Sequence, residues 1–209
     1  MSTGHSKRVI ATSALRILAN AIVVLAFGLL CVASYRQFTQ TGSINSLGLL
    51  CVNGLFVIMY VTRRDAKATS TVPATWLLAF AGTTLPLLMR PTAPTELAAI
   101  GNTVQLLGIC LIVAALLSLE RSFGVVPANR GIRDGGLYRL VRHPLYAAEL
   151  LALFGVLIAN PSVTNALVWA ADCVLQCLRA RAEERFLSAD ATYRAYRDRV
   201  RYRLIPGLI

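Results

Sequence analysis

The chain has 209 residues, of which 56% are hydrophobic and 15% charged, with a formal net charge of +11 and a mean hydropathy of +0.61. That balance excludes an ordinary soluble domain and points to an all-α integral membrane protein. The basic excess carries no aromatic-interleaved binding motif, which argues against nucleic acid and for anionic lipid headgroups as the partner.

A short basic tail through Arg8 leads into an apolar run from Leu15 to Tyr35, too long and too deep in the chain for a signal peptide, so it is read as a retained helix. The polar hairpin Gln37 to Ser46 separates it from a second run, Ile44 to Thr62, where Gly48, Asn53 and Gly54 suggest a close helix contact. Beyond Arg63 to Thr71 comes the run Val72 to Met89, with a kink expected at Pro86. Leu97 to Leu119 follows, and each of these four runs approaches the ~20 residues that cross a bilayer core. Gly124 to Val141 reads as an irregular polar cap, where function is expected. Two shorter runs, Leu145 to Ala159 and Ala166 to Leu178, flank Asn160-Pro161 and predict a tight helical hairpin. In the tail, eight arginines from Arg179 to Arg203 alternate with Phe186, Leu187, Tyr193, Tyr196 and Val200 at helical spacing. That pattern predicts an amphipathic helix on the headgroups, with both tyrosines as interfacial anchors. The expected architecture is five to six transmembrane helices in one continuous domain, a four-helix region 1–119 followed by a polar-loop, hairpin and tail region 120–209.

Nineteen of the 21 Lys and Arg residues fall on one side of this topology, all but Arg36 and Arg90. The asymmetry orients both termini and both polar passages toward the cytoplasm, with the chain in the inner membrane. Cys31, Cys51, Cys110, Cys173 and Cys177 lie inside apolar runs without a CxxC pair, and His5 and His143 are the only histidines. No metal site is expected. No P-loop, G-x-G-x-x-G turn or HExxH motif occurs either.

What remains is a passage from Arg130 to Tyr146, ending in Arg142-His143-Pro144-Leu145 at a helix start, answered by a second from Arg179 to Glu184. Proline costs little in a first helical turn, and the free N–H groups there can face a ligand. His143 at such an entrance can also serve as a plain cap, and Glu183 and Glu184 as partners of nearby arginines. Glu149 and Asp172, acids within apolar runs, are expensive to keep there and therefore candidates for function or for joining helices.

The blocks Leu119-Glu-Arg-Ser-Phe-Gly, Pro127-Ala-Asn-Arg-Gly, Gly136-Leu-Tyr138-x-x-x-Arg142-His143-Pro144-x-Tyr146, Arg179-x-Arg-x-Glu183-Glu184-x-x-Leu187, Tyr193-x-x-Tyr196 and Arg203-x-Ile-Pro206 occur in this order. Together they resemble the isoprenylcysteine carboxyl methyltransferase family over roughly the last ninety residues, and related membrane phospholipid methyltransferases and sterol reductases have similar C-terminal halves. This chain has Leu137 where many members have proline, and Ala148 where glycine is frequent.

The resemblance implies an S-adenosylmethionine-dependent enzyme whose cofactor pocket is built from the loop and tail, with a lipophilic acceptor entering from the bilayer. By matched position, Arg130, Gly131, Ile132, Arg133, Tyr138, His143, Pro144, Leu145, Tyr146 and Glu183 would bind the cofactor and Arg179 the substrate, with Arg179, Glu183 and His143 as the catalytic set. The implied acceptor is the carboxylate of a prenylcysteine-like molecule. A carboxylate, with a pKa near ~4, is already ionised and needs alignment and desolvation rather than a base. An arginine at the membrane surface can align it by a bidentate pair. Alternatives are a lipid amine or small thiol as acceptor, or a lipid-binding protein without turnover.

Overall fold

The computed structural model describes residues 3–93 and 95–208, with side chains from residue 20 onward. Its helices are α1 (Thr3–Thr41), α2 (Ile44–Thr62), α3 (Pro73–Thr84), α4 (Ala98–Leu119), α5 (Pro144–Ala159), α6 (Val163–Leu187) and α7 (Ala191–Arg199). Three segments among the described residues are long and apolar enough to cross a membrane, Asn20–Thr41, Ile44–Thr62 and Ala98–Ser122. The chain is a helical membrane protein. The third apolar run falls short of the length expected for it: Pro86 lacks an N–H, α3 stops at Thr84, and Leu85–Leu88 tightens into a 3-10 turn. A small antiparallel pair, absent from the all-helical expectation, joins β1 (Ala68–Thr69) to β2 (Ala128–Asn129) in the register Ala68 to Asn129 and Thr69 to Ala128.

Two compact units form, Met1–Thr62 and Arg63–Ile209. In the first, α1 and α2 meet through Phe27 and Phe56, with ring centroids 4.7 Å apart, and through Asn53 Nδ2, which donates to Ser34 Oγ at 3.3 Å. The close contact expected at Gly54 is not made, because a Cβ added there meets nothing within 4 Å.

The backbone-to-backbone contact lies instead in the second unit, between α4 and α5. A Cβ built on Gly101 would stand 2.3 Å from Ala159 N, one on Gly108 2.4 Å from Ala152 N, and one on Gly155 2.2 Å from Gln105 N. Small residues on both helices, Ala148, Ala152 and Ala159 among them, let the axes close to this distance. Helix α4 therefore belongs with the loop and tail. The division between the two compact units falls after Thr62.

Helix α6 lies against α5, where Trp169 Nε1 donates to Leu150 O at 3.1 Å, and against α3. At the end remote from the loop, buried Asn165 accepts from Arg90 N and donates to Arg90 O, both at 2.9 Å, while Asn160 Oδ1 accepts from Thr92 N at 3.1 Å. Ser162 caps α6 by accepting from Asn165 N. These bonds satisfy backbone groups that have no helical partner.

The tail departs from a single surface helix. It breaks after Leu187, restarts at α7 with Asp190 as cap, and buries Tyr193 and Tyr196 to 3% and 4% exposure against Tyr138 and Val200. The two tyrosines are core residues, not interfacial anchors.

Gly155→Leu should be severely destabilising, because the new side chain has no space that does not displace α4 backbone, and overpacking of this kind costs roughly 1–3 kcal/mol or more. Gly54→Ala, in open space within a helix, should be neutral or gain up to about 1 kcal/mol. Thermal unfolding of both variants in one detergent distinguishes the two glycine classes.

Candidate functional site

Pro144 opens α5, and His143 occupies its N-cap position without a side-chain capping bond. The ring has other partners. It stacks on Tyr146 at 5.4 Å with 1° between planes, its Nδ1 lies 4.0 Å from Glu183 Oε2, and its buried Nε2 lies 3.3 Å from Glu184 Oε1 without a well-aligned hydrogen bond.

Directly before it, the C-terminal strand of chain is stitched down: Arg142 N–H donates to Tyr202 O at 2.9 Å and His143 N–H to Arg203 O at 2.8 Å. The Arg142 side chain donates through Nε to Glu184 Oε1 and through Nη1 to the carbonyls of Val200 and Arg201, each at 2.7 Å. Arg203 Nε reaches the other oxygen of Glu184 at 2.9 Å. Burial opposes the charge on Glu184, but the nearby His143 ring and the bonds from Arg142 and Arg203 outweigh it and hold the carboxyl down at about 2, against an ordinary 4.5. Glu184 is thus a structural anchor, the bland role open to it from sequence.

One residue earlier, Glu183 faces a different group. Tyr146 OH donates to Glu183 Oε2 at 2.9 Å, and the guanidinium carbon of Arg179 lies 4.7 Å above the centre of the Tyr146 ring. Arg179 and Glu183, four apart on α6, meet on Tyr146 rather than on each other. Arg179 Nη1 also donates to Gln176 Oε1 at 3.0 Å, and Gln176 Nε2 donates to Glu149 Oε2 at 3.0 Å. Across from Arg179 sits Gly82 of α3, where a Cβ would be 2.8 Å from Arg179 Cδ. A narrow crevice opens here, lined by Thr75, Leu78, Ala79, Val125, Pro127, Tyr146, Arg179 and Ala182.

The loop that roofs this crevice is held by the strand pair, by Lys67 N–H to Asn129 O at 2.8 Å, and by Asn129 Nδ2, which reaches Asp190 Oδ2 in the tail at 2.7 Å. Gly136, at φ +55°, turns the chain where a Cβ would strike Ser118 Oγ at 2.2 Å. Arg130 Nη1 donates to Arg64 O at 3.0 Å, and Arg133 Nη2 pairs with Glu120 at 2.7 Å. Gly131 donates to Asn129 Oδ1. Ile132 packs on the cluster of Tyr138, Tyr193 and Tyr196, and Tyr196 OH donates to Tyr138 O at 2.9 Å. Burial pushes all three phenols above their ordinary value of 10, so they stay neutral.

Of the residues singled out from sequence, His143, Tyr146, Arg179 and Glu183 converge, with Pro144 and Leu145 buried in the first turn of α5 beside them. Arg130, Gly131 and Arg133 make the loop's own contacts, while Ile132 and Tyr138 form the loop–tail wall. Gln176, Gly82 and the pairing of Arg142 with Arg203 through Glu184 were not anticipated. The spacing Asp172, Gln176, Arg179, Glu183 marks one face of a helix and carried that signal for Gln176.

Fold and site together define a helical membrane protein with a polar loop-and-tail site at one membrane end. The chain belongs to the family described as protein of unknown function (DUF1295), which matches residues 71–203 and is associated with steroid 5-alpha reductase-like membrane proteins. No characterised protein matches the sequence.

Because the folded value of Glu184 lies below the ordinary one, the stability it contributes is full above pH ~5 and is lost as pH falls through 4.5 toward 2. Wild type should exceed Glu184→Gln by about 3–5 kcal/mol at neutral pH. Unfolding in detergent across this range should show the difference shrinking only in acid.

Proposed function

We propose that the protein is an S-adenosylmethionine-dependent methyltransferase acting at the cytoplasmic face of the inner membrane on a lipophilic acceptor. The observation that carries this reading is the convergence of Glu183 and Arg179 on Tyr146, beside a crevice walled by α3, α5, α6 and the loop. The ordered sequence blocks that resemble isoprenylcysteine carboxyl methyltransferases support it.

The residues suit the cofactor's chemistry. A zwitterionic nucleoside sulfonium asks for a carboxylate acceptor, for N–H or O–H donors and for an aromatic wall. Glu183 supplies the first, and Arg133 Nε and Tyr193 OH are buried donors without a hydrogen-bond partner. Tyr138, Ile132 and the stacked pair His143 and Tyr146 supply the wall. When bound, S-adenosylmethionine supplies an electrophilic methyl group. The chain's own residues hold and align: Glu183 with Tyr146 and His143 on the cofactor side, Arg179 on the acceptor side, with the loop excluding water. The crevice has room for little more than a single water molecule, so admitting the cofactor requires it to widen. The resemblance implies an acceptor carboxylate gripped by Arg179. In this structure Arg179 is already engaged by Tyr146 and Gln176.

A second reading follows from the family's association with steroid 5-alpha reductase-like proteins. In it the same crevice serves hydride transfer from a nicotinamide cofactor to a lipophilic carbonyl compound.

A ligand that binds only the folded state raises its unfolding temperature. S-adenosylhomocysteine should do so for the purified protein, and NADPH should not. The opposite result transfers the assignment to the reductase, and no shift with either removes both. Glu183→Ala should weaken S-adenosylhomocysteine binding about ten- to a hundredfold, the range expected for a lost charged hydrogen bond. Arg179→Ala should abolish methyl transfer to membrane lipids while leaving that affinity nearly unchanged. Equal loss of binding in both would refute the division of roles.

A further inference from the structure

Below Tyr146, the face of α6 turned into the protein is polar at Asn165, Asp172, Gln176 and Arg179, all buried. Asp172 is completely buried, and neither of its carboxylate oxygens has a hydrogen-bond partner. Gln176, one turn on, donates one amide N–H to Glu149, accepts from Arg179 on its oxygen, and is near enough to act on the Asp172 carboxylate as well. Arg179 reaches Gln176 and the Tyr146 ring, and makes no ion pair with Asp172 within 4.0 Å. Asp172 is nevertheless close enough for its charge to act on both Glu149 and Arg179.

The seam therefore holds two carboxylates, Glu149 from α5 and Asp172 from α6, with a single guanidinium that satisfies neither directly. A buried carboxylate without a partner is among the least favourable groups a protein interior can hold. Two carboxylates and one amide offer too few oxygens for a calcium or magnesium ion, which takes six or more. An ammonium carries one positive charge and three N–H donors, and suits two facing carboxylates. Glu149 is partly exposed and lies three residues beyond Tyr146, on the same face of α5 and one turn deeper than the crevice. Val168 and Trp169 stand one turn from Asp172 and offer apolar surface for an alkyl chain.

We propose that Glu149 and Asp172 bind the ammonium head of a lipophilic amine, and that this amine is the acceptor of the methyl group. The second half rests on the methyltransferase reading; the binding site does not. The two acids also answer a chemical need. An ammonium has no lone pair, so one N–H bond must break, with its electron pair remaining on nitrogen and the proton passing to a carboxylate oxygen. That step leaves a neutral amine and one protonated acid.

The test is quenching of tryptophan fluorescence in detergent-solubilised protein by an alkylamine carrying a terminal bromine, without any cofactor. The bromo fatty acid and bromo alcohol of equal chain length serve as controls. Saturable quenching by the amine should occur at a concentration at least about tenfold lower than for either control, and Asp172→Asn should remove that preference while keeping helical content and gel-filtration profile. If Asp172→Asn does not fold, Glu149→Gln is read in the same way. Equal quenching by all three probes, or an amine preference unchanged in the variant, overturns the proposal. Amine binding without any S-adenosylhomocysteine effect would leave the site standing and remove the methyltransferase reading. Cofactor binding without amine selectivity would do the reverse.

Discussion

The loop-and-tail end of the molecule depends on one buried carboxylate. Glu184 sits near the end of the long helix α6, and its two oxygens draw together Arg142 from the loop and Arg203 from the tail. Once Arg142 is fixed, its remaining donors take the carbonyls of Val200 and Arg201, and the backbone of residues 142–143 pairs with residues 202–203. The chain that follows α7 is thereby returned across the entrance of α5. Everything that meets at Tyr146 relies on this return, since it holds Tyr193 and Tyr196 against Tyr138 and so closes the loop–tail wall. An ion pair in such a place is poor evidence for net stability, because desolvation cancels much of the attraction. What it provides is a unique arrangement. Few other positions of the tail would leave a buried carboxylate and two arginines all satisfied.

The neighbouring glutamate shows how adjacent identical residues on a helix separate into different roles. Successive residues are about 100° apart around the axis, so Glu184 turns toward the tail while Glu183 turns toward α5 and the Tyr146 hydroxyl. The polar chain then continues inward through Arg179 and Gln176 to Glu149. One face of α6 thus connects the protein's aqueous rim with its apolar middle. The neutral, buried tyrosines of the loop and tail form a dry wall beside this route.

Elements set by local pattern were legible in the sequence, and those set by a distant partner were not. Continuous apolar runs became the long helices α1, α2 and α4. The run Val72 to Met89 failed as a single long helix because one missing N–H at Pro86 outweighs hydropathy. Tyr193 and Tyr196 have the spacing of interfacial anchors as much as of core residues, and only the presence of Tyr138 opposite them decides. Likewise Gly101, Gly108 and Gly155 look like ordinary helix glycines until α4 and α5 are side by side. In the site, the charged residues at the start of α5 and the end of α6 advertised themselves. Gln176 was hidden in an apolar run, and the partition between Glu183 and Glu184 needed the tail's path.

The glycine contact between α4 and α5 also has a mechanical meaning. Where two backbones touch at Gly101, Gly108 and Gly155, there is no side-chain layer to compress or rearrange, so these helices behave as one stiff beam. Helix α3 is the opposite case: short, ended by the 3-10 turn at Leu85–Leu88, and facing the flexible stem of Arg179 across Gly82. Of the walls around the crevice, α3 is therefore the compliant one. Opening meets least resistance between α3 and α6, where the Arg179 side chain can swing, and most between α4 and α5.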